Sequence, residues 1–148
     1  MRLVAADAAH IPFLADHMRA DDVRECAAFG RAPAEALRHG IMSSLWALTA
    51  IVDDEPHAVM GVASRSMIEG IGVPWMLGTN RVYDHGRDLL RHAPAVIEEM
   101  HATFGRLENL VSVDNARALR FLRRVGFEIC GAPINVGEVS FVHFRKGA

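Results

Sequence analysis

Lysine is almost missing from this 148-residue chain: Lys146 stands alone against fifteen arginines. Tyrosine is equally scarce, with Tyr83 the only one, and cysteine is limited to Cys26 and Cys130. Two distant cysteines in no CxxC or Cys/His cluster exclude a disulfide framework and read as free thiols in a reducing compartment. The eight histidines form no HxxxH or HExxH pattern, so no metal site is expected. Long apolar runs are missing too. The longest, Ile41 to Val52, has twelve residues and is interrupted by Ser43, Ser44 and Thr49. A membrane helix needs about twenty. MRLVAADAAH lacks the apolar core of a signal peptide, so a cytoplasmic protein is expected. A net charge of −2 gives no general case for nucleic acid or anionic membrane as partner.

What is present is an ordinary globular composition, 51% hydrophobic and 23% charged, at a length that suits one domain over 1–148. Met1 to Ala5 reads as a strand, and Asp7 offers a cap for a helix through His10, Phe13, Leu14 and His17. Asp21 to His39 is helical with a break at Gly30 and Pro33, where Pro33 suits an early helical position. Leu45 to Val52 and Ala58 to Ser64 form a hairpin about the polar turn Asp53, Asp54 and Glu55. Val73 to Leu77 follows as a strand.

Asn80 to Phe104 reads as a loop and then a helix. Leu89, Ala93, Val96, Ile97, Met100 and Phe104 share one helical face, and Pro94 is expected to kink or restart it. Leu107 to Asp114, Glu128 to Cys130 and Glu138 to Phe144 complete the strands. The order β, α, α, β, β, β, α, β, α, β, β implies an α/β fold, a mixed central sheet of about six to seven strands with helices on both faces.

The most regular segment is Asn115 to Phe127, NARALRFLRRVGF, directly after LENLVSVD. Asp114 or Asn115 can cap the first turn, Ala118, Leu119, Leu122 and Val125 give an apolar stripe, and Gly126 can close the helix in a left-handed conformation. Arg117, Arg120, Arg123 and Arg124 form the opposite, polar face.

This strand, capped helix, Gly-Phe and strand resembles the last motif of the GNAT superfamily of N-acetyltransferases, NxxAxxxYxxxGF. Asn115, Ala118, Gly126 and Phe127 match, and Leu122 stands where the family has Tyr. The element order agrees over nearly the whole chain. The resemblance implies acetyl-CoA as cofactor and an amine as acetyl acceptor. It implies a cofactor loop Q/RxxGxG/A after the fourth strand, whose amides cradle a pyrophosphate. RVYDHG aligns there, so Arg81 and Gly86 match and Asp84 replaces the first Gly.

A carboxylate at 84 sets like charge beside the pyrophosphate and lowers the affinity for acetyl-CoA, which Arg81, His85, Arg87 and Arg91 partly offset. Met76, Leu77, Arg81, His85, Gly86, Arg87 and Asn115 are the cofactor-binding candidates. Leu122 cannot protonate a departing thiolate, a task typically contributing about 100- to 10,000-fold. Glu69, before the fourth strand, and His57, at the hairpin end, are the candidate general bases.

From about Pro74 to Lys146 the chain looks most like the phage GNAT-like proteins of the internal virion protein A type. That likeness implies a role in particle assembly or the ejection apparatus, with other virion proteins as partners, in the host cytoplasm and the virion, and with weak or lost catalysis. An active N-acetyltransferase is the alternative. A small nucleic-acid-binding domain ranks third, because the aromatics fall on buried periods.

Overall fold

The computed structural model describes residues 1–148. Seven strands build one sheet: β1 (Arg2–Ala5), β2 (Ser44–Val52), β3 (Glu55–Ser66), β4 (Ile71–Gly78), β5 (Arg106–Ser112), β6 (Glu128–Val136) and β7 (Val139–Gly147). Their spatial order is β1-β2-β3-β4-β5-β7-β6. Every neighbouring pair is antiparallel except β4 and β5. The expected mixed α/β sheet is therefore present with seven strands.

The helices are α1 (Ile11–Asp16), α2 (Ala20–Ala28), α3 (Pro33–Ser43), α4 (Asn80–Asp84), α5 (Gly86–His101) and α6 (Ala116–Arg124). Alternation along β3 divides them between the two faces of the sheet. Val59 packs with Ile11, Leu14 and Leu37 of α1 and α3. Ala58, Met60 and Val62 point the other way and join Leu89, Val96 and Met100 of α5 and Ala118 of α6. None of these helices is long and apolar enough to cross a membrane.

Local signals act where the sequence places them. Asp7 caps a short 3-10 turn, Ala8–His10, by accepting from the Ala9 amide at 2.8 Å. Asp53 and Asp54 carry the hairpin turn with φ of 50° and 63°, the two left-handed residues that match the twist of adjoining strands. α5 does not restart at Pro94 but runs through it as one helix. The proline removes one backbone bond, but Leu89, Ala93, Val96 and Met100 stay buried on one continuous stripe. That stripe holds the helix together.

β4 and β5 pair only at their starts, Ile71 with Arg106 and Gly72 with Leu107, and then diverge. Beyond that point the sheet is split. The Asn109 side chain spans the gap, donating from Nδ2 to the Pro74 carbonyl at 2.9 Å.

Candidate functional site

The split opens a cavity of about 400 Å³ that passes between the two layers of helices. Met76 and Leu77 of β4, Leu110 of β5 and Phe121 and Leu122 of α6 are among its walls, and 24 of its 34 lining residues are hydrophobic. Asp22, Glu25, Tyr83 and Asn115 supply polar groups. Charged side chains in such surroundings require partners, since unpaired burial costs several kcal/mol. The chain provides them.

Arg19 is the hub, only 3% exposed. It donates to the Asp22 carboxylate at 2.9 Å, to Asp21 at 3.3 Å and to Asn115 Oδ1 at 3.1 Å. Its guanidinium also lies 4.5 Å from the centre of the Tyr83 ring, a favourable cation–π position. The other Asp22 oxygen accepts from the Gly78 amide at 3.0 Å. Glu25 Oε1 accepts twice, from the Ser112 amide at 2.9 Å and from Asn115 Nδ2 at 3.1 Å. Asn115 thereby joins α2 to α6 while it caps α6 through the Ala118 amide.

Burial pushes the Asp22 carboxyl up to about 7 against the opposing pull of Arg19. Glu25 is raised too, chiefly by burial, with the Ser112 and Asn115 bonds opposing. The Tyr83 hydroxyl is driven well above its ordinary range by burial and by Asp22, so it stays protonated. Burial and the neighbouring carboxylates lift the Cys26 thiol to about 11, which leaves it without a reactive thiolate.

The segment after β4 differs from the expected loop. Residues Asn80–Asp84 form α4, capped by Thr79, whose hydroxyl accepts from the Arg81 amide at 3.2 Å. The Thr79 amide donates to the His57 carbonyl at 2.9 Å, and the Val82 amide to the Thr79 carbonyl at 3.3 Å. Together with the Asp22 bond to Gly78, these contacts occupy the amides of Gly78, Thr79, Arg81 and Val82, whereas the N-terminus of α5 at Gly86 carries no side-chain cap. At Gly78 even a methyl group is excluded, because a Cβ would lie 2.5 Å from the His57 carbonyl.

Asp84 is exposed and turned to Arg117 at 3.1 Å, Arg81 is paired with Asp53, and His85 lies 3.8 Å from Asp88. Arg87 is exposed on the first turn of α5, and Gly86 has open space where a side chain would be. Of the cofactor-binding candidates, Met76, Leu77 and Asn115 line the cavity, whereas Arg81, His85, Gly86 and Arg87 lie outside it.

Neither candidate base faces the cavity. Glu69 sits on the turn between β3 and β4, its amide bonded to Ser66 Oγ at 3.1 Å. His57 is buried beneath the start of α4, with Nδ1 2.8 Å from Thr79 Oγ1 and Nε2 without a partner. Burial first, and the Arg81 charge second, lower its pKa and favour the neutral ring. No group of three or more His, Cys, Asp or Glu is placed to hold a metal ion.

Asp22 and Glu25 are the carboxylates that reach the cavity and that reading from the sequence passed over. Their spacing held a signal. Asp22, Glu25 and Cys26 fall at i, i+3 and i+4, one helical face, and acidic groups beside an apolar cysteine mark a buried polar cluster.

Solved structures of acetyltransferases superpose on the whole architecture. The chain has the GNAT fold. A ribosomal-protein-alanine N-acetyltransferase from Brucella melitensis matches with a TM-score of 0.68 at 16% identity, covering 100% of both chains. A GNAT-family acetyltransferase from Bacillus anthracis gives 0.72 at 10% identity, over 98% of this chain and 93% of that one. AAC(6')-Ib, solved with ribostamycin and coenzyme A, gives 0.69 at 14% identity, over 98% and 92%. No protein-family model matches the chain, and no curated protein does.

Proposed function

We propose that this chain is a phage GNAT-fold, acetyltransferase-like protein that serves in particle assembly or ejection, with weak or lost catalysis. The observation that carries the catalytic part is Leu122, which lines the cavity where the family motif has Tyr and offers no acid for a departing thiolate. The candidate bases Glu69 and His57 lie outside that cavity. The assembly part is supported by the sequence likeness between Pro74 and Lys146 to phage GNAT-like proteins. Its contact surface is the outer face of α6, where Arg120, Arg123 and Arg124 are exposed and in no ion pair.

The test is particle assembly with a chain carrying Arg120→Glu and Arg123→Glu, beside the native chain. Loss of the variant from particles, with its fold intact by circular dichroism, is expected. Equal incorporation of both, or absence of the native chain from particles, overturns the assembly reading.

A second reading, an acetyl-CoA-dependent N-acetyltransferase acting on an amine, is favoured by the cavity itself. Its walls include Met76 and Leu77, and the Glu25 carboxylate reaches it as a proton acceptor. The solved relative AAC(6')-Ib, with its bound coenzyme A, supports that cofactor by analogy of fold. Acetylation of amines at a rate above background would establish this reading.

A further inference from the structure

Helix α5 carries a second apolar row beside its buried stripe. Leu90, Pro94 and Ile97 fall at i, i+4 and i+7, one side of a helix, and with Val125 just beyond α6 they floor a groove between the two helices. Arg124, Lys146 and His101 border it against a single acid, Glu98. His101 donates from Nδ1 to the Phe104 carbonyl at 2.9 Å, whereas Arg124 and Lys146 enter no ion pair. The complementary chemistry stands on the turn between β3 and β4. Ile68 is wholly exposed and Met67 62% exposed, and the exposed Glu69 beside them is in no ion pair. Ser66 Oγ accepts from the Glu69 amide at 3.1 Å and Gly70 takes φ of 69°, so the turn is shaped before any partner arrives. Turn and groove share one end of the sheet. The Gly70 carbonyl accepts from the Arg106 amide at 3.1 Å, and Arg106 pairs with Gly147, the neighbour of Lys146. With Ile68 wholly exposed, the turn does not occupy its own chain's groove.

We infer that the chain forms a two-fold dimer in which the β3–β4 turn of each copy enters the α5–α6 groove of the other. Ile68 then lies on the floor of Leu90, Pro94 and Ile97, and the Glu69 carboxylate meets Lys146 and Arg124. Covering a wholly exposed isoleucine with an apolar floor is favourable, and a carboxylate answers the two unpaired cations. A contact between opposite ends of a molecule builds open chains. Because turn and groove lie at the same end, a two-fold axis there forms the contact twice and closes the assembly at two copies. An acidic segment of another protein would meet the same groove but leave Ile68 uncovered, which favours the second copy. The inference rests neither on particle assembly nor on acetyl transfer, and Arg120 and Arg123 stay outside the groove.

Analytical ultracentrifugation of the full chain at about 100 μM tests this, and a dimer is expected. Ile68→Asp should weaken association by about tenfold or more, and since Ile68 touches no core residue the variant folds as the native chain does. Glu69→Lys and Lys146→Glu should each weaken the dimer, and the chain carrying both should regain association, because the exchanged charges attract again. A native chain that stays monomeric, a dimer that Ile68→Asp leaves unchanged, or species larger than two copies overturns the inference. A double variant that associates no more tightly than either single one overturns the pairing of Glu69 with Lys146.

Discussion

The segments 115–127 and 81–86 look alike on paper, each an arginine-bearing stretch with a glycine near its end, yet they fold under different control. In 115–127 the instructions are local. Asn115 caps α6, and Gly126 takes φ of 99° just beyond its end. In 81–86 a local cap, Thr79, starts the helical turn, while partners remote in the sequence hold the strand end from which it springs. Asp22 reaches across to the Gly78 amide and the His57 carbonyl to the Thr79 amide. The buried Asp22 fixes where the second segment begins, and a local cap then shapes it.

The largest test of that contrast is pH. Asp22 holds its proton to about 7 in the fold, against 3.8 for the free side chain. Between those values the folded chain binds more protons than the unfolded one, so stability falls as pH rises from about 4 to 7 and is flat above. The slope from Asp22 is on the order of 1 kcal/mol per pH unit. Raised Glu25 acts in the same direction. Urea denaturation at pH 5 and 7.5 checks this, and Asp22→Asn should reduce the slope without removing it.

Asn115→Ala comes next. It strips partners from Arg19, Glu25 and the α6 N-terminus at once. A loss of about 3 kcal/mol in urea denaturation is expected, within the range for leaving buried polar groups unpaired. A cost under about 1 kcal/mol, the size of a helix cap alone, would mean that Asn115 acts locally.

Gly126→Ala probes the local side of the contrast. The backbone conformation there disfavours a Cβ by about 1–2 kcal/mol, while the Lys146 ammonium, 2.8 Å from the added atom, can swing aside. The loss should appear in denaturation and leave the pH slope unchanged. Asp84→Gly is the smallest effect. Its pair with Arg117 is exposed, and such pairs contribute about 0–1 kcal/mol.

The sequence made much of the fold legible because its periods and caps are strong. The stripe Leu89, Ala93, Val96 and Met100 is buried as read, and Asp53 and Asp54 turn the hairpin. Met76, Leu77 and Asn115 reach the cavity, since strand alternation and a helix cap locate them without tertiary information. The rest of the site escaped for the opposite reason. Arg19, Asp22 and Glu25 resemble ordinary surface charges on a short helix, and what they do depends on Gly78, Ser112 and Asn115, at least 56 positions away. Motif alignment gave residues 80–84 as loop, although Thr79 is a local cap that starts a helical turn there.

The most direct test of the central claim is calorimetric titration of the native chain with acetyl-CoA, beside Asp84→Gly. The native chain is expected not to bind in the micromolar range, and Asp84→Gly is expected to bind more tightly than the native chain, because the substitution removes a carboxylate from the cofactor loop and restores the residue the family motif has there. Micromolar binding by the native chain would contradict the account.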